Sequence, residues 1–149
     1  MKDDFRNIYQ NARRTAGLTQ ERWAEVLGIT PEAVRQYERG VITPQDDIVL
    51  RMAEVAGQHI ICYWHLLHKS RVAAQLLPDL QEKELPEAVL SLLVQIEALQ
   101  DTGLRDLIRI AADGKVDPAE RPAFDHAVSQ LADLIQAALH VKFSKEADE

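Results

Sequence analysis

The chain has 149 residues, of which 46% are apolar, enough to form one packed domain or two small ones, so we expect a globular protein. It contains no run of 18 apolar residues, and its first five residues lack the basic and then apolar pattern of a signal peptide. These features exclude a membrane-spanning or secreted protein at the level of sequence, and we expect a cytoplasmic one.

The net charge of −7 is unevenly distributed. Residues 1–70 contain nine Lys or Arg and nine Asp or Glu, whereas residues 71–149 contain eight bases and fifteen acids. An acidic protein is normally a poor partner for nucleic acid, because phosphates pair with Lys and Arg. Residues 1–70 have no net charge, so the overall charge does not argue against nucleic-acid binding by this half. Cys62 is the only cysteine, so no internal disulfide can form.

Helix signals follow one another along the sequence. Capping side chains mark four helix starts, which are Thr19-Gln20, Thr30-Pro31, Thr43-Pro44 and Asp117-Pro118, the last completed by Glu120 as a capping box. Glycines typical of helix ends are Gly17, Gly28, Gly40, Gly57 and Gly114. The predicted helices span about residues 4–16, 20–27, 31–39, 45–56, 58–70, 87–112, with Gly103 as a potential break, and 118–142. No segment alternates with period two for long enough to be a strand, so we predict an all-α fold.

The helical pattern is lost between Val72 and Pro86, where two prolines bracket a charged run. We predict a linker at residues 72–86, which separates a first domain at residues 1–71 from a second at residues 87–149.

Residues 18–40, LTQERWAEVLGITPEAVRQYERG, predict two short helices joined by a tight turn at Gly28. The buried faces that this pattern predicts are Trp23, Ala24 and Leu27 on the first helix, and Ala33, Val34 and Tyr37 on the second. Four side chains of the second helix point away from that contact, and they are Glu32, Arg35, Gln36 and Arg39. Arg and Gln can bind base edges and phosphates, and a helix of this size fits the major groove.

These residues resemble the xenobiotic-response-element (XRE) family of helix-turn-helix regulators, which includes the Cro-like and lambda-repressor-like phage proteins. The matching positions are Thr19, Gln20, Ala24, Gly28, Val34, Tyr37, Glu38 and Gly40, and VITPQDDIVLRMAEVAG follows where the family has a fourth helix. The resemblance covers about residues 5–70 and implies a five-helix lambda-repressor-like domain that binds double-stranded DNA. It also implies base reading by Thr30, Glu32, Arg35 and Gln36, and phosphate contacts by Gln20 and Arg39.

The segment GQHIICYWHLLHKS places His59, Cys62, His65 and His68 three residues apart. Steps of three rotate the side chain by about 60° on a helix, so the four cannot all converge on one ion. Zinc sites also draw ligands from several elements. We predict packing and no metal site.

The second half carries apolar residues at helical spacing. The last predicted helix has a wide apolar stripe, formed by Phe124, Ala127, Val128, Leu131, Leu134, Ile135, Ala138 and Leu139. About 55 residues of helix bury little apolar surface alone, so we predict an acidic helical oligomerisation domain at residues 87–149. Residues 112–120 resemble a calcium loop only in composition, because Lys115 occupies a ligand position.

The sequence predicts a DNA-binding transcriptional regulator, of phage or prophage repressor type, that binds an inverted-repeat operator as a homodimer or a higher even oligomer. An antitoxin-like interaction module, whose acidic half binds another protein and whose helix-turn-helix autoregulates, stays open as the alternative. So does a helix-turn-helix used for protein contacts. No catalytic motif occurs, so we expect no enzyme, no catalytic residue and no cofactor.

Overall fold

The structure is a computed structural model that describes residues 8–145. Its elements are α1 (Ile8–Thr15), α2 (Gln20–Leu27), α3 (Pro31–Glu38), α4 (Asp46–Ala56), α5 (Ile60–Lys69), α6 (Ala73–Leu76), α7 (Leu85–Ala98), a π-helical turn (Leu99–Gly103), α8 (Leu104–Ile110) and α9 (Arg121–Lys142). Residues 8–145 contain no strand, only an isolated bridge between Glu84 and Lys145. The predicted all-α fold is therefore confirmed. Residues 4–7 of the first predicted helix lie outside the described part of the chain.

The chain divides into two compact units between Leu77 and Pro78. The N-terminal unit contains α1 to α6, and the C-terminal unit contains α7 to α9. The domain boundaries predicted from the sequence stay a prediction; α6 lies within the segment assigned to the linker. None of the helices described here has both the length and the apolar character needed to cross a membrane.

The core of the N-terminal unit is built from one face of each of its first five helices. Its largest fully buried side chains are Trp23, Leu27, Val34, Val49, Met52 and Ile61. Ala12, Ala24 and Ala53 are also fully buried, and their small side chains allow the helix axes to approach closely. The resulting core fixes α2 and α3 against α1, α4 and α5.

The start of α4 differs from the sequence prediction. Thr43 and Pro44 were expected to cap and open this helix, but α4 begins at Asp46, with Gln45 as N-cap and no capping side chain. Pro44 is instead one of the fully buried side chains. The Thr-Pro pattern does not reveal that Pro44 is buried ahead of the helix and that the helix begins two residues later.

Before α9, the predicted capping-box hydrogen bonds form, but the helix begins later in the sequence than predicted. The Asp117 carboxylate accepts a hydrogen bond from the backbone N–H of Glu120 at 2.9 Å, and the Glu120 carboxylate accepts one from the N–H of Asp117 at 3.3 Å. These reciprocal bonds are the predicted ones. They close a separate turn, however, and α9 begins at Arg121 rather than at residue 118.

At Gly103, which the sequence analysis gave as a potential break, the helix is not interrupted but passes through the π-helical turn that joins α7 to α8. A Cβ atom on Gly103 would collide with Oε1 of Gln130 on α9, so the Gln130 side chain would have to move to admit any other residue here. The amide of Gln130 donates a hydrogen bond to the carbonyl oxygen of Ala98 at 3.0 Å. A π turn displaces the regular hydrogen bonds of a helix, and here a side chain from α9 supplies one substitute.

Candidate nucleic-acid interface

The connection between α2 and α3 is a tight turn with a side-chain cap before each helix. Thr19 Oγ1 accepts a hydrogen bond from the N–H of Arg22 at 3.2 Å, and Thr30 Oγ1 accepts one from the N–H of Ala33 at 3.1 Å. Gly28 ends α2 with φ of 66°, a left-handed conformation that favours glycine. The predicted caps and turn of this helix pair are confirmed.

The two helices pack through the faces that the sequence predicts. Trp23, Ala24 and Leu27 of α2 are buried, as is Val34 of α3. Ala33 and Tyr37 are partly buried on the same side of α3. The opposite side of α3 is therefore held rigidly while it remains available to a partner.

That outward side brings three of the predicted base-reading residues into direct contact. Arg35 Nε donates a hydrogen bond to Oε2 of Glu32 at 2.9 Å, and Gln36 Nε2 donates one to Oε1 of the same carboxylate at 3.3 Å. The hydrogen bond from Arg35 holds the pKa of Glu32 below its ordinary value. Since Arg35 is held through Nε, its two terminal nitrogens remain free of this pair and could form a bidentate contact.

Thr30 and Arg39 lie at the two ends of α3 and are both exposed. Thr30 uses its hydroxyl as the N-cap, and Arg39 follows the last helical residue. The four predicted base-reading side chains and the predicted phosphate contact at Arg39 thus share one helix, and their roles in DNA binding stay predictions.

Gln20, the other predicted phosphate contact, is linked to a buried charge. Its amide donates a hydrogen bond to Oε2 of Glu38 at 2.8 Å, and Arg13 Nε donates one to Oε1 of Glu38 at 2.5 Å. Burial raises the pKa of Glu38, but the hydrogen bonds from Arg13 and Gln20 outweigh it, so the pKa lies below its ordinary value. This network was not predicted from the sequence; the available signal was an acid on the core side of α3, one residue after Tyr37.

The two histidines of α5, and His59 at its N-cap, have separate surroundings. His59 and His68 are exposed, whereas His65 is buried and contacts the Tyr9 hydroxyl through Nδ1 at 2.8 Å and Asp46 Oδ1 through Nε2 at 3.2 Å. Burial lowers the pKa of His65 and raises that of Tyr9 to about 12. Among residues 8–145, no three His, Cys, Asp or Glu side chains are placed so that they could hold a metal ion.

A comparison with protein-family models matches residues 10–60 to the family described as Helix-turn-helix. The match begins in α1, includes α2, α3 and α4 in full, and ends at the first residue of α5. Comparisons with curated proteins and with solved structures give no match.

Proposed function

We infer that this chain is a DNA-binding transcription regulator in which residues 10–60, which match the helix-turn-helix family model, form an XRE-type domain, and that it binds an inverted-repeat operator as a dimer or a higher even oligomer. The observation that carries this proposal is the outward side of α3. It presents Glu32, Arg35 and Gln36 together on a helix that the core holds in place. Regulation then follows from occupancy, since a protein on an operator blocks the polymerase or recruits it.

The base contacts we propose follow from side-chain geometry. Arg35 would bind guanine through its terminal nitrogens, and Gln36 would bind adenine through its amide. Thr30 and Glu32 would complete the reading surface at the start of α3. Arg39, together with Gln20 and the backbone N–H groups at the start of α2, would contact phosphates and fix the register on the duplex.

The low net charge of the N-terminal unit supports DNA binding by two copies of the chain. Residues 1–77 contain ten bases and nine acids, so one N-terminal unit offers little net attraction to phosphates. Residues 78–149 contain seven bases and fifteen acids. A single copy would bind weakly, and two linked reading helices on half-sites about 10 base pairs apart, or a multiple of that, would supply affinity and specificity.

Selection of bound sequences from a random DNA pool tests the proposal. The full chain should enrich an inverted repeat, and a variant carrying both Arg35→Ala and Gln36→Ala should enrich none. If the unaltered chain enriches no sequence, the proposed function is wrong. Enrichment of a single half-site without its inverted partner would retain DNA reading and refute the dimeric operator.

The exposed apolar side chains of the C-terminal unit favour one second candidate function. Leu90 and Ile108 are 65% and 66% exposed, and apolar side chains exposed to this extent could contact a different protein, as in an antitoxin. A partner that co-purifies at fixed stoichiometry and whose activity the chain neutralises would support that candidate.

A further inference from the structure

A cleft of about 800 Å³ lies within the N-terminal unit, between α4, α5 and the segment that joins α5 to α6. Its volume is in the range of small-molecule sites, which is roughly 300 to 1,000 Å³. The residues that line it from each helix fall one helical turn apart and so share one side of that helix. They are Asp46, Val49 and Leu50 on α4, and Cys62, His65, Leu66 and Lys69 on α5. The described lining residues include none of α2 or α3, so a molecule in the cleft would leave the outward side of α3 uncovered.

The wall of this cleft is mostly apolar. Val49 is buried, whereas Leu50, Leu66 and Val72 all line the cleft and are exposed to water. An apolar molecule that enters the cleft removes apolar surface of these side chains from water, which is favourable in proportion to the area covered. The body of a ligand that fits this wall is therefore apolar.

The charged groups of the cleft favour an anion. Asp46 is the one acid among the described lining residues, and its Oδ1 already accepts a hydrogen bond from Lys69 Nζ at 2.5 Å and contacts His65 Nε2 at 3.2 Å. Arg71 also lines the cleft; it is exposed and forms no side-chain hydrogen bond or ion pair with another residue of the range 8–145. A guanidinium group matches a carboxylate in shape as well as in charge, because it can donate two parallel hydrogen bonds.

The turn that carries Arg71 and Val72 is held by backbone hydrogen bonds of its own. Ser70 Oγ accepts a hydrogen bond from the N–H of Ala73 at 3.1 Å, and the carbonyl oxygen of Ser70 accepts one from the N–H of Ala74 at 3.0 Å. Both bonds span the two residues, so their backbone position is set before any ligand binds. Less conformational freedom then remains to be lost on binding.

We propose that this cleft is a binding site for a small apolar carboxylic acid, whose carboxylate pairs with Arg71 and whose apolar body lies against Leu66 and Val72. The site goes beyond DNA binding, because it gives the chain a small-molecule ligand at a place separate from α3. A neutral apolar molecule would leave the guanidinium of Arg71 unpaired. An apolar amine would bring a positive charge to the positive charges of Arg71 and Lys69.

Titration calorimetry of the full chain without DNA tests the proposal, with decanoate, decanol and decylamine as probes of equal chain length. Decanoate should bind at one equivalent per chain and about tenfold more tightly than decanol or decylamine, since it alone can pair with Arg71. Arg71→Ala should abolish the preference for decanoate over decanol, and Arg71→Glu should make decylamine the preferred probe. The matched control Arg14→Ala, which removes an exposed arginine from α1 of the same unit, should bind all three probes as the unaltered chain does.

The place at which the probe binds is tested through Cys62, the only cysteine of the chain, which lines the same cleft. Saturating decanoate should slow the reaction of the Cys62 thiol with an aromatic disulfide reagent by about tenfold, because the probe blocks access to it. The same concentration of decanoate should protect the thiol less in Arg71→Ala. Decanoate that binds without protecting Cys62 would overturn the proposed cleft, and equal affinity for decanoate and decanol would overturn the carboxylate contact.

This proposal and the proposed function fail separately. Calorimetry and thiol protection are both measured without DNA, so they report on ligand binding alone. A chain in which decanoate protects Cys62 but which selects no DNA would retain this inference and refute the proposed function. A chain that selects an inverted repeat but binds no decanoate would do the reverse.

Discussion

The guanidinium of Arg13 in α1 pairs with the carboxylate of Glu38 at the end of α3, with Nε and Oε1 2.5 Å apart. Their side chains are only 12% and 4% exposed. Arg13 also donates from Nη1 to the carbonyl oxygen of Leu18 at 2.8 Å. This pair, with Gln20 on the same carboxylate, joins the ends of three helices on the buried side of α3.

Removal of the buried charge should therefore destabilise the N-terminal unit. We expect Glu38→Gln to lower the free energy of unfolding by about 2 kcal/mol, because Arg13 is then left partly buried without its counter-ion. Both tryptophans, Trp23 and Trp64, lie in this unit, so their fluorescence during urea unfolding follows it alone. Glu32→Gln on the exposed side of α3 is the matched control and should change the free energy by no more than ~0.5 kcal/mol. Equal losses of unfolding free energy in the two variants would show that the buried Arg13–Glu38 pair stabilises the unit no more than a surface ion pair does.

Base reading and phosphate contact should separate by mutation on α3. Arg35→Ala and Gln36→Ala should each lose about 1 to 3 kcal/mol of binding to the selected operator and little on scrambled DNA. Arg39→Ala should weaken both duplexes similarly and reduce the dependence on salt, because a phosphate contact releases counter-ions from any sequence. Titration of the three variants against both duplexes at two salt concentrations measures these effects.

The control for that experiment is Arg121→Ala in the C-terminal unit. Arg121 pairs with Asp125 four residues after it, and Arg35 pairs with Glu32 three residues before it, so each substitution removes a surface ion pair within one helix. Arg121→Ala should leave the preference for operator over scrambled DNA unchanged. Two outcomes would contradict base reading by α3. One is a loss of operator preference in the control variant equal to that in Arg35→Ala; the other is an unchanged preference in Arg35→Ala and Gln36→Ala.

Stability of the N-terminal unit should fall in mild acid because of His65. Burial lowers its pKa, although Asp46 opposes this effect, and Lys69 and His68 add positive charge nearby. The unfolded chain therefore takes up the proton more readily, so the stability is complete above the ordinary value of 6.5 and is lost as the pH falls below it. Tryptophan-monitored unfolding from about pH 7 to about pH 5 should show this decline.

Two histidine variants identify the group responsible for the pH dependence. His65→Gln should flatten the decline, whereas His68→Gln, exposed on the same helix, should retain it. The pKa of His140 is also lowered by burial, but that residue lies in the C-terminal unit, outside the part that the tryptophans report. An unaltered pH profile in His65→Gln would assign the decline to another group.

Gly28 should be sensitive to substitution for reasons of backbone geometry alone. A Cβ atom there would meet only Nη1 of Arg51 at 3.6 Å, an ordinary contact, so space is not the obstacle. The φ of 66° should nevertheless make Gly28→Ala lower the free energy of unfolding by about 1 kcal/mol, and Gly28→Asn by less, because Asn tolerates this conformation. Equal losses in urea unfolding of the two variants would contradict the conformational explanation.

The features predicted correctly from the sequence are local ones. Thr30 and Pro31 determine the start of α3 with atoms within one helical turn, and Gly28 is needed for one backbone conformation. Neither depends on a distant residue, so the sequence pattern was sufficient to predict the helix-turn-helix and to predict which side of α3 faces outward.

The features that the sequence did not predict depend on tertiary contacts. Pro44 is fully buried, and Glu38 pairs with Arg13, which is 25 residues away. In α7, LPEAVLSLLVQIEA is apolar on nearly every side, so periodicity cannot tell that Ala88 is buried and Leu90 exposed. The buried side of α7 could therefore be identified only from the structure, in which α9 packs on it.

The π-helical turn at Leu99–Gly103 bears on how changes in chain length are tolerated. Its i→i+5 hydrogen bonding accommodates one residue more than an α-helical turn, so the extra residue is absorbed locally and the helix that follows keeps its direction. Deletion of Gln100, which is exposed, would convert the turn into ordinary α-helix and leave the side chains of α8 in about their present orientation relative to α7. A deletion within α7 or α8 would instead rotate every later side chain by about 100°. Chains one residue shorter at this turn can therefore keep the packing of α8 on α9, whereas a deletion elsewhere along these two helices would disturb it.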